Sequence, residues 1–298
     1  LRALVTGGTG FVGSRLSARL VSLGHDVWVT GREGENVVPE GVGTVPWDRA
    51  GVMHFDVCFH QAANNDTLDE DFWGIMESNM FAPARLFNKL IRMGCRTFVY
   101  ASSTAVYGNS PVPYKEDGLV DPLNLYAKSK LAFDEFALSF AEETRAVVFG
   151  LRYCNVYGSG ESHKGRRASM VMHICHQMIS GERPRIFKDG EQRRDWIHVE
   201  DVVEANLACL GHISGGVFNI ASGRAVTFNH LVSVINSQLK SSLKSEYIEC
   251  PFKSAYQNDT ETDISKAKKV LGWRPKISLE DGVAGYLSLL QKEMDLNR

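Results

Sequence analysis

The run Leu4-Val5-Thr6-Gly7-Gly8-Thr9-Gly10-Phe11-Val12-Gly13 constrains this chain more than any other stretch. A short apolar strand hands over to a helix, and Gly7, Gly10 and Gly13 punctuate the turn at GxxGxxG spacing. Gly7 permits the tight turn, Gly10 lets backbone approach a pyrophosphate, and Gly13 lets the helix pack closely on the strand. The unpaired N–H groups and positive dipole end of that helix suit a diphosphate. Gly7, Gly10, Phe11, Val12 and Gly13 are therefore candidate cofactor-binding residues.

A glycine turn alone is a weak signal, and its surroundings strengthen it. Ala3–Thr6, Asp26–Thr30, Val57–His60, Thr97–Ala101 and Ala146–Leu151 read as short buried strands. Helical patterns over Phe11–Leu23, Phe72–Met93 and Leu125–Thr144 separate them. This alternation predicts an α/β chain with a doubly wound parallel sheet of the Rossmann kind. After Tyr153 the character changes. The polar stretch Gly158–Arg167 is expected to be a mobile loop, Met170–Ile179 a helix, and residues 218–298 a smaller α+β region.

With 298 residues and 44% hydrophobic content, the chain can bury a full core. A net charge of -2 without a basic block gives nucleic acid or a membrane surface no electrostatic support. Six scattered cysteines lack zinc spacing and read as reduced thiols of a cytoplasmic protein. No apolar run reaches bilayer length. The chain opens on Leu1, so a few native residues are expected to precede it.

The second strand ends Val29-Thr30-Gly31-Arg32, without the acid that usually holds the ribose hydroxyls of NAD. Arg32 stands where a 2′-phosphate would be met, so the expected cofactor is NADP, with NAD the alternative. Tyr126 and Lys130 lie at i and i+4, one above the other on a helix face. A cation within about 4–6 Å lowers a phenol pKa by roughly 1–3 units, so Lys130 is expected to bring Tyr126 into the range of a useful base. Upstream, Val99–Gly108 leaves a strand in a hydroxyl-rich turn that can hold the same substrate oxygen.

Taken in this order, these stretches resemble the extended short-chain dehydrogenase/reductase family from end to end. Phe59-His60-Gln61-Ala62-Ala63, Arg152–Gly158 and Arg194–Val202 add to the likeness. The resemblance implies Tyr126 as general base, Lys130 as its partner and grip on the nicotinamide ribose, and Ser103 as the helper hydroxyl. It also implies that Gln61, Ala62, Ala63, Asn79 and Val156 lie beside the cofactor. An interleaved organisation follows from it: residues 1–153 with 198–217 bind the dinucleotide, and 154–197 with 218–298 bind a sugar nucleotide. Homodimers or larger homo-oligomers are expected for the same reason.

Family dehydratases resemble one another in an Asp-Glu pair after the helper hydroxyl. Thr104 and Ala105 stand there, which disfavours dehydration. The stretch Asn155–His173 is similar to the ADP-glycero-manno-heptose 6-epimerases, through its Asn-Val-Tyr-Gly, His-Lys-Gly and Ala-Ser segments. That likeness implies Lys164 as a second acid/base and Asn155, His173, Phe187, Arg194 and Tyr256 as substrate contacts. Arg166, Gln61 and Asn64-Asn65 depart from the group, as does the missing acid near Arg32. Redox-neutral epimerisation of a nucleotide sugar is the expected activity. A UDP-hexose 4-epimerase, an NADPH-consuming nucleotide-sugar reductase and a non-catalytic NAD(P)-sensing module are the alternatives. His173 and His176 lack a third ligand, so no metal is expected. The acidic run 66–71 reads as a helix start or an active-site rim.

Overall fold

The computed structural model describes residues 1–31, 38–251 and 256–296. Strands β1 (Arg2–Thr6), β2 (Asp26–Thr30), β3 (Gly43–Thr44), β4 (Val57–His60), β5 (Thr97–Ser103) and β6 (Val147–Tyr153) share one parallel sheet with the late strand Gly216–Ile220. From one edge the order is Gly216–Ile220, β6, β5, β4, β1, β2, β3. The order reverses between β1 and β4, which pair from Ala3↔Val57 to Thr6↔His60. A crevice opens at the carboxyl ends of strands where such a reversal occurs. All four residues of β4 are buried, as a central parallel strand covered on both faces requires.

One apolar core lies between the sheet and the helices Phe11–Ser22 and Val199–Ala208, with Leu16, Leu20, Val202 and Val203 reaching toward Val5, Phe59 and Val99. The opposite face packs Phe87 of Ala82–Arg92, and Phe133 and Phe140 of Leu125–Thr144, around Phe98. A separate core joins the helices Met170–Ile179, Phe228–Leu239 and Leu279–Leu296 through Ile174, Leu231, Ile235 and Leu287. The strand Gly216–Ile220 follows the helix Val199–Ala208 back into the large sheet, pairing from Gly216↔Phe149 to Ile220↔Tyr153. The sheet therefore extends past the expected boundary at residue 217.

Two local expectations change. The pattern over Phe72–Met93 is not one helix: a π-helical turn, Glu77–Phe81, separates Phe72–Met76 from Ala82–Arg92. Such turns are rare and concentrate at functional sites. The stretch expected as a mobile loop contains a 3-10 turn, Ser162–Arg167, broken at Gly165 by a φ of 54°. Five cysteines are buried and Cys250 is partly exposed, all as free thiols. Among the described residues no helix is long and apolar enough to cross a membrane.

Candidate active site

A cavity of about 590 Å³ opens over the carboxyl ends of β1, β4, β5 and β6. Gly7, Gly10, Phe11, Val12 and Gly13 form one wall, and Gln61, Ala62 and Ala63 the next. Side chains would fill this cradle. A Cβ on Gly7 would lie 2.8 Å from the Ala62 backbone, and one on Gly13 would lie 2.1 Å from the Gly7 carbonyl oxygen. Gly10 caps the helix Phe11–Ser22 with no side-chain hydrogen bond, leaving its first N–H groups to a ligand. Lys130, His163, Lys164 and Arg167 line the cavity, and no carboxylate does among the described residues. Ser102, on the same wall, is buried with its hydroxyl unpartnered among the described residues. Cradle, charge and orphan hydroxyl fit a dinucleotide diphosphate and its riboses. Thr30 and Gly31 close the end near β2, whereas Arg32 lies outside the described residues.

Ser103, Tyr126 and Lys130 meet on the β5 side of the cavity. Ser103 ends β5 and caps the 3-10 turn that follows, its Oγ accepting the Ala105 N–H at 3.1 Å. Asn124 caps the helix Leu125–Thr144 by accepting the Ala127 N–H at 2.9 Å, which fixes where Tyr126 starts its first turn. Lys130 Nζ donates to the Ala101 carbonyl at 2.9 Å and lies 5.9 Å from the centre of the Tyr126 ring. Desolvation pushes the Tyr126 phenol up, while the Ser103 hydroxyl opposes the rise. The charge of Asp134 adds to the rise, and the lowering expected from Lys130 does not appear. Desolvation also drives the Lys130 amine down to about 8, with Asp134 pulling it back up.

Gln61 belongs to a closed polar triangle. Tyr153 donates to Gln61 at 3.0 Å, Gln61 to Asn206 at 3.0 Å, and Asn206 to the Tyr153 hydroxyl at 2.8 Å. Sequence reading missed Tyr153 as a wall residue and Asn206 as its anchor, because these three positions meet only in the fold. Asn79 is not on the cavity wall. It is buried inside the π-helical turn, accepts the Asn64 N–H at 2.8 Å, and donates to the Asn64 carbonyl at 2.8 Å and Ser129 at 3.0 Å. Asn79 therefore ties the loop after β4 to the Tyr126 helix instead of facing the cavity. The amide-rich loop offered no local sign of this pairing.

Lys164 reaches the cavity from the loop after β6, on a different element from Tyr126. Its ammonium lies 5.1 Å from the centre of the Phe11 ring and 3.7 Å from Glu161. Desolvation lowers its pKa, partly opposed by Glu161 and reinforced by the charge of Arg167. Asn155 and Val156 line the same cavity. Asn155 holds a φ of 40°, with its amide donating to Thr260 at 3.1 Å and to the Asp195 carbonyl at 3.2 Å. Phe187, Arg194 and Tyr256 gather in a separate cluster: the rings of Phe187 and Tyr256 meet edge to face at 5.3 Å, and Arg194 stacks 4.7 Å from the Tyr256 ring. An aromatic pair with a guanidinium can take a planar base and a phosphate. His173, on Met170–Ile179, is partly exposed and joins neither group. Asp71, in the acidic run, caps Phe72–Met76 by accepting the Gly74 N–H. Asp66 and Asp69 border a polar recess beside Lys164.

Comparison with known proteins places this geometry. The NAD dependent epimerase/dehydratase family matches residues 3–221. The ADP-L-glycero-D-manno-heptose-6-epimerase of Brachyspira hyodysenteriae is 32% identical over 312 residues, spanning 97% of this chain and 98% of that protein. The crystal structure of the Helicobacter pylori ADP-L-glycero-D-manno-heptose-6-epimerase is 31% identical with a TM-score of 0.88, covering 97% of this chain and 96% of its own. The UDP-glucose 4-epimerase of Thermotoga maritima, solved with UDP-glucose, is 27% identical with a TM-score of 0.91, covering 99% and 100%. Because the match runs from β1 through the last strand of the sheet, and relatives align nearly end to end, this chain belongs to the NAD-dependent epimerase/dehydratase family.

Proposed function

We propose that the protein inverts one carbinol of a nucleotide sugar without net oxidation or reduction, and that its substrate is an ADP-linked heptose inverted at C6. The observation that carries this reading is the placement of Tyr126 and Lys164 on one cavity from separate elements. With one hydride carrier, inversion requires the ketone to present its other face, and a second acid/base meets the oxygen in that turned position. Bound NAD(P) supplies the hydride acceptor for the first half of the reaction and the donor for the second. Tyr126 takes the hydroxyl proton on one face, Ser103 holds the resulting carbonyl oxygen, and Lys164 exchanges the proton on the other. Lys130 grips the ribose beside Tyr126. Asn155, Phe187, Arg194 and Tyr256 hold the nucleotide, so that binding energy retains the transient ketone while it reorients. His173 remains a proposed substrate contact.

Arg32 favours NADP over NAD by offering a cation to a 2′-phosphate. The two interleaved cores support a dinucleotide-binding domain and a sugar-nucleotide domain. A homodimer or larger homo-oligomer in the cytoplasm completes the proposal. The UDP-glucose 4-epimerase neighbour supports a second reading, epimerisation of a UDP-hexose at C4.

The test is to incubate purified protein, without added cofactor, with ADP-D-glycero-D-manno-heptose and follow C6 by NMR. Inversion with no net NADPH change supports the assignment. Absence of inversion, with turnover of UDP-glucose, selects the second reading. Stoichiometric loss of NADPH would identify a reductase.

A further inference from the structure

Glu161 is wholly buried, yet it lies in a loop, in a stretch otherwise rich in glycine and exposed cations. Its carboxylate gathers the loop that carries Lys164. One oxygen accepts the Gly158 N–H at 3.2 Å and the Ser169 hydroxyl at 2.7 Å. The other accepts the Ser169 N–H at 2.7 Å and faces the Lys164 ammonium at 3.7 Å. Gly158 stands before the 3-10 turn and Ser169 after it, where Ser169 caps the helix Met170–Ile179 through the Met172 N–H. A single side chain thus closes both ends of the segment and leaves Lys164 on its cavity side.

We propose that Glu161 is the positioning residue for Lys164, holding the amine against the cavity wall and governing its proton. The proposal rests on the reading of Lys164 as the second acid/base. A buried carboxylate needs its acceptor sites filled, and three of its partners here are neutral donors. Glu161 therefore keeps three hydrogen bonds when Lys164 gives up a proton, so the loop need not rearrange as the amine cycles. Arg167 acts on Lys164 in the opposite sense, as a like charge on the same turn. The other titratable or charged groups around it are His163, Lys130 and Tyr126 on the cavity wall, and Asp66, Asp69 and Arg166 in the adjoining recess. Glu161 is the acid in ion-pair range of the amine among the described residues.

The experiment measures the amine directly. The protein as purified, with its cofactor, is acylated by acetic anhydride over a range of pH, and labelling of Lys164 is read by mass spectrometry. In Glu161→Gln the labelling midpoint is expected to fall by about one pH unit, since an anion within about 4–6 Å favours the charged form. Ser169→Ala removes the hydroxyl's bond to Glu161 and the helix cap to the Met172 N–H, and keeps the carboxylate. It should lower Tm and leave the midpoint in place, which a merely structural role for Glu161 does not predict. A folded Glu161→Gln protein with an unchanged midpoint overturns the proposal. If that variant does not fold, Glu161→Asp keeps the charge but withdraws it by a methylene; a smaller fall is expected, and no fall overturns the proposal. Turnover of Lys164→Ala is measured separately, so failure of the two-base reading is distinguishable from failure of this one.

Discussion

Arg152 Nε on β6 lies 2.9 Å from Asp134 on the helix that carries Tyr126 and Lys130, and both side chains are buried. Further hydrogen bonds brace the pair. Tyr100 donates to Asp134 at 2.9 Å, Arg152 donates to the Tyr107 hydroxyl at 2.8 Å, and Tyr107 donates to Asn219 at 2.7 Å. The network clamps the Tyr126 helix to β5 and β6 and supplies the negative charge that keeps Lys130 from falling further. Buried ion pairs hold best when further hydrogen bonds meet their remaining lone pairs and protons, and Tyr100 and Tyr107 each supply one here.

Arg152→Met should therefore destabilise the fold by about 3–5 kcal/mol, because it strands Asp134 in the interior. Urea unfolding followed by circular dichroism measures the loss. The double variant Asp134→Leu with Arg152→Met should recover most of that stability. A double variant as unstable as the single would show that packing, not the uncompensated charge, dominates.

Tyr126→Phe should lower kcat by about 10²–10⁴-fold, the usual contribution of a positioned acid/base. Tm and retained cofactor should stay unchanged. Lys164→Ala should lower kcat over the same range while Tyr126 remains intact. Single-turnover NMR with the nucleotide sugar checks both, and wild-type rates in Lys164→Ala would remove the second base from the mechanism.

Gly13→Ala places a methyl 2.1 Å from the Gly7 carbonyl oxygen. The obstacle is backbone, so the helix must move away from the turn. The expected cost is about 1–3 kcal/mol of stability. The cradle should also lose its grip, seen as less NAD(P) released when the purified variant is denatured. Full retention would mean that the turn is more compliant than its geometry implies.

His60 ends β4 beneath the glycine turn, buried against Phe87 and Phe133, with Nδ1 2.6 Å from the Thr6 hydroxyl. Desolvation, aided by the charge of Lys130, lowers its pKa to about 3. In the folded protein the ring stays neutral where the unfolded chain already takes a proton. Its contribution to stability is therefore full above pH 6.5 and is lost as pH falls toward 3. The loss amounts to at most about 1.4 kcal/mol per pH unit. His60→Gln should lack that slope, which unfolding free energies between pH 7 and 4 will show. Parallel curves for the two proteins would refute the assignment.

Much of the frame could be read before any fold was known. β2, β4 and the helices Leu125–Thr144 and Met170–Ile179 begin and end where the apolar periods and caps place them. The glycine turn, Ser103, and Tyr126 with Lys130 are also local features, since a turn or one helical repeat fixes their geometry. The long pattern over Phe72–Met93 misled because a π-helical turn inserts one extra residue per turn without disturbing the apolar stripe enough to show.

The sequence by itself determined the order of strands and helices along the chain, the glycine turn and the Tyr126–Lys130 pair, because each depends on spacings of a few residues. Only the tertiary structure decided that Asn79 braces the Asn64 loop instead of facing the cavity. The same holds for Gln61, Tyr153 and Asn206 forming one network, and for Glu161 being buried beside Lys164. Those arrangements join residues from separate elements or depend on how a loop is covered. Burial then sets their charge and hydrogen bonding, and no local period records which polar group will meet which across the fold.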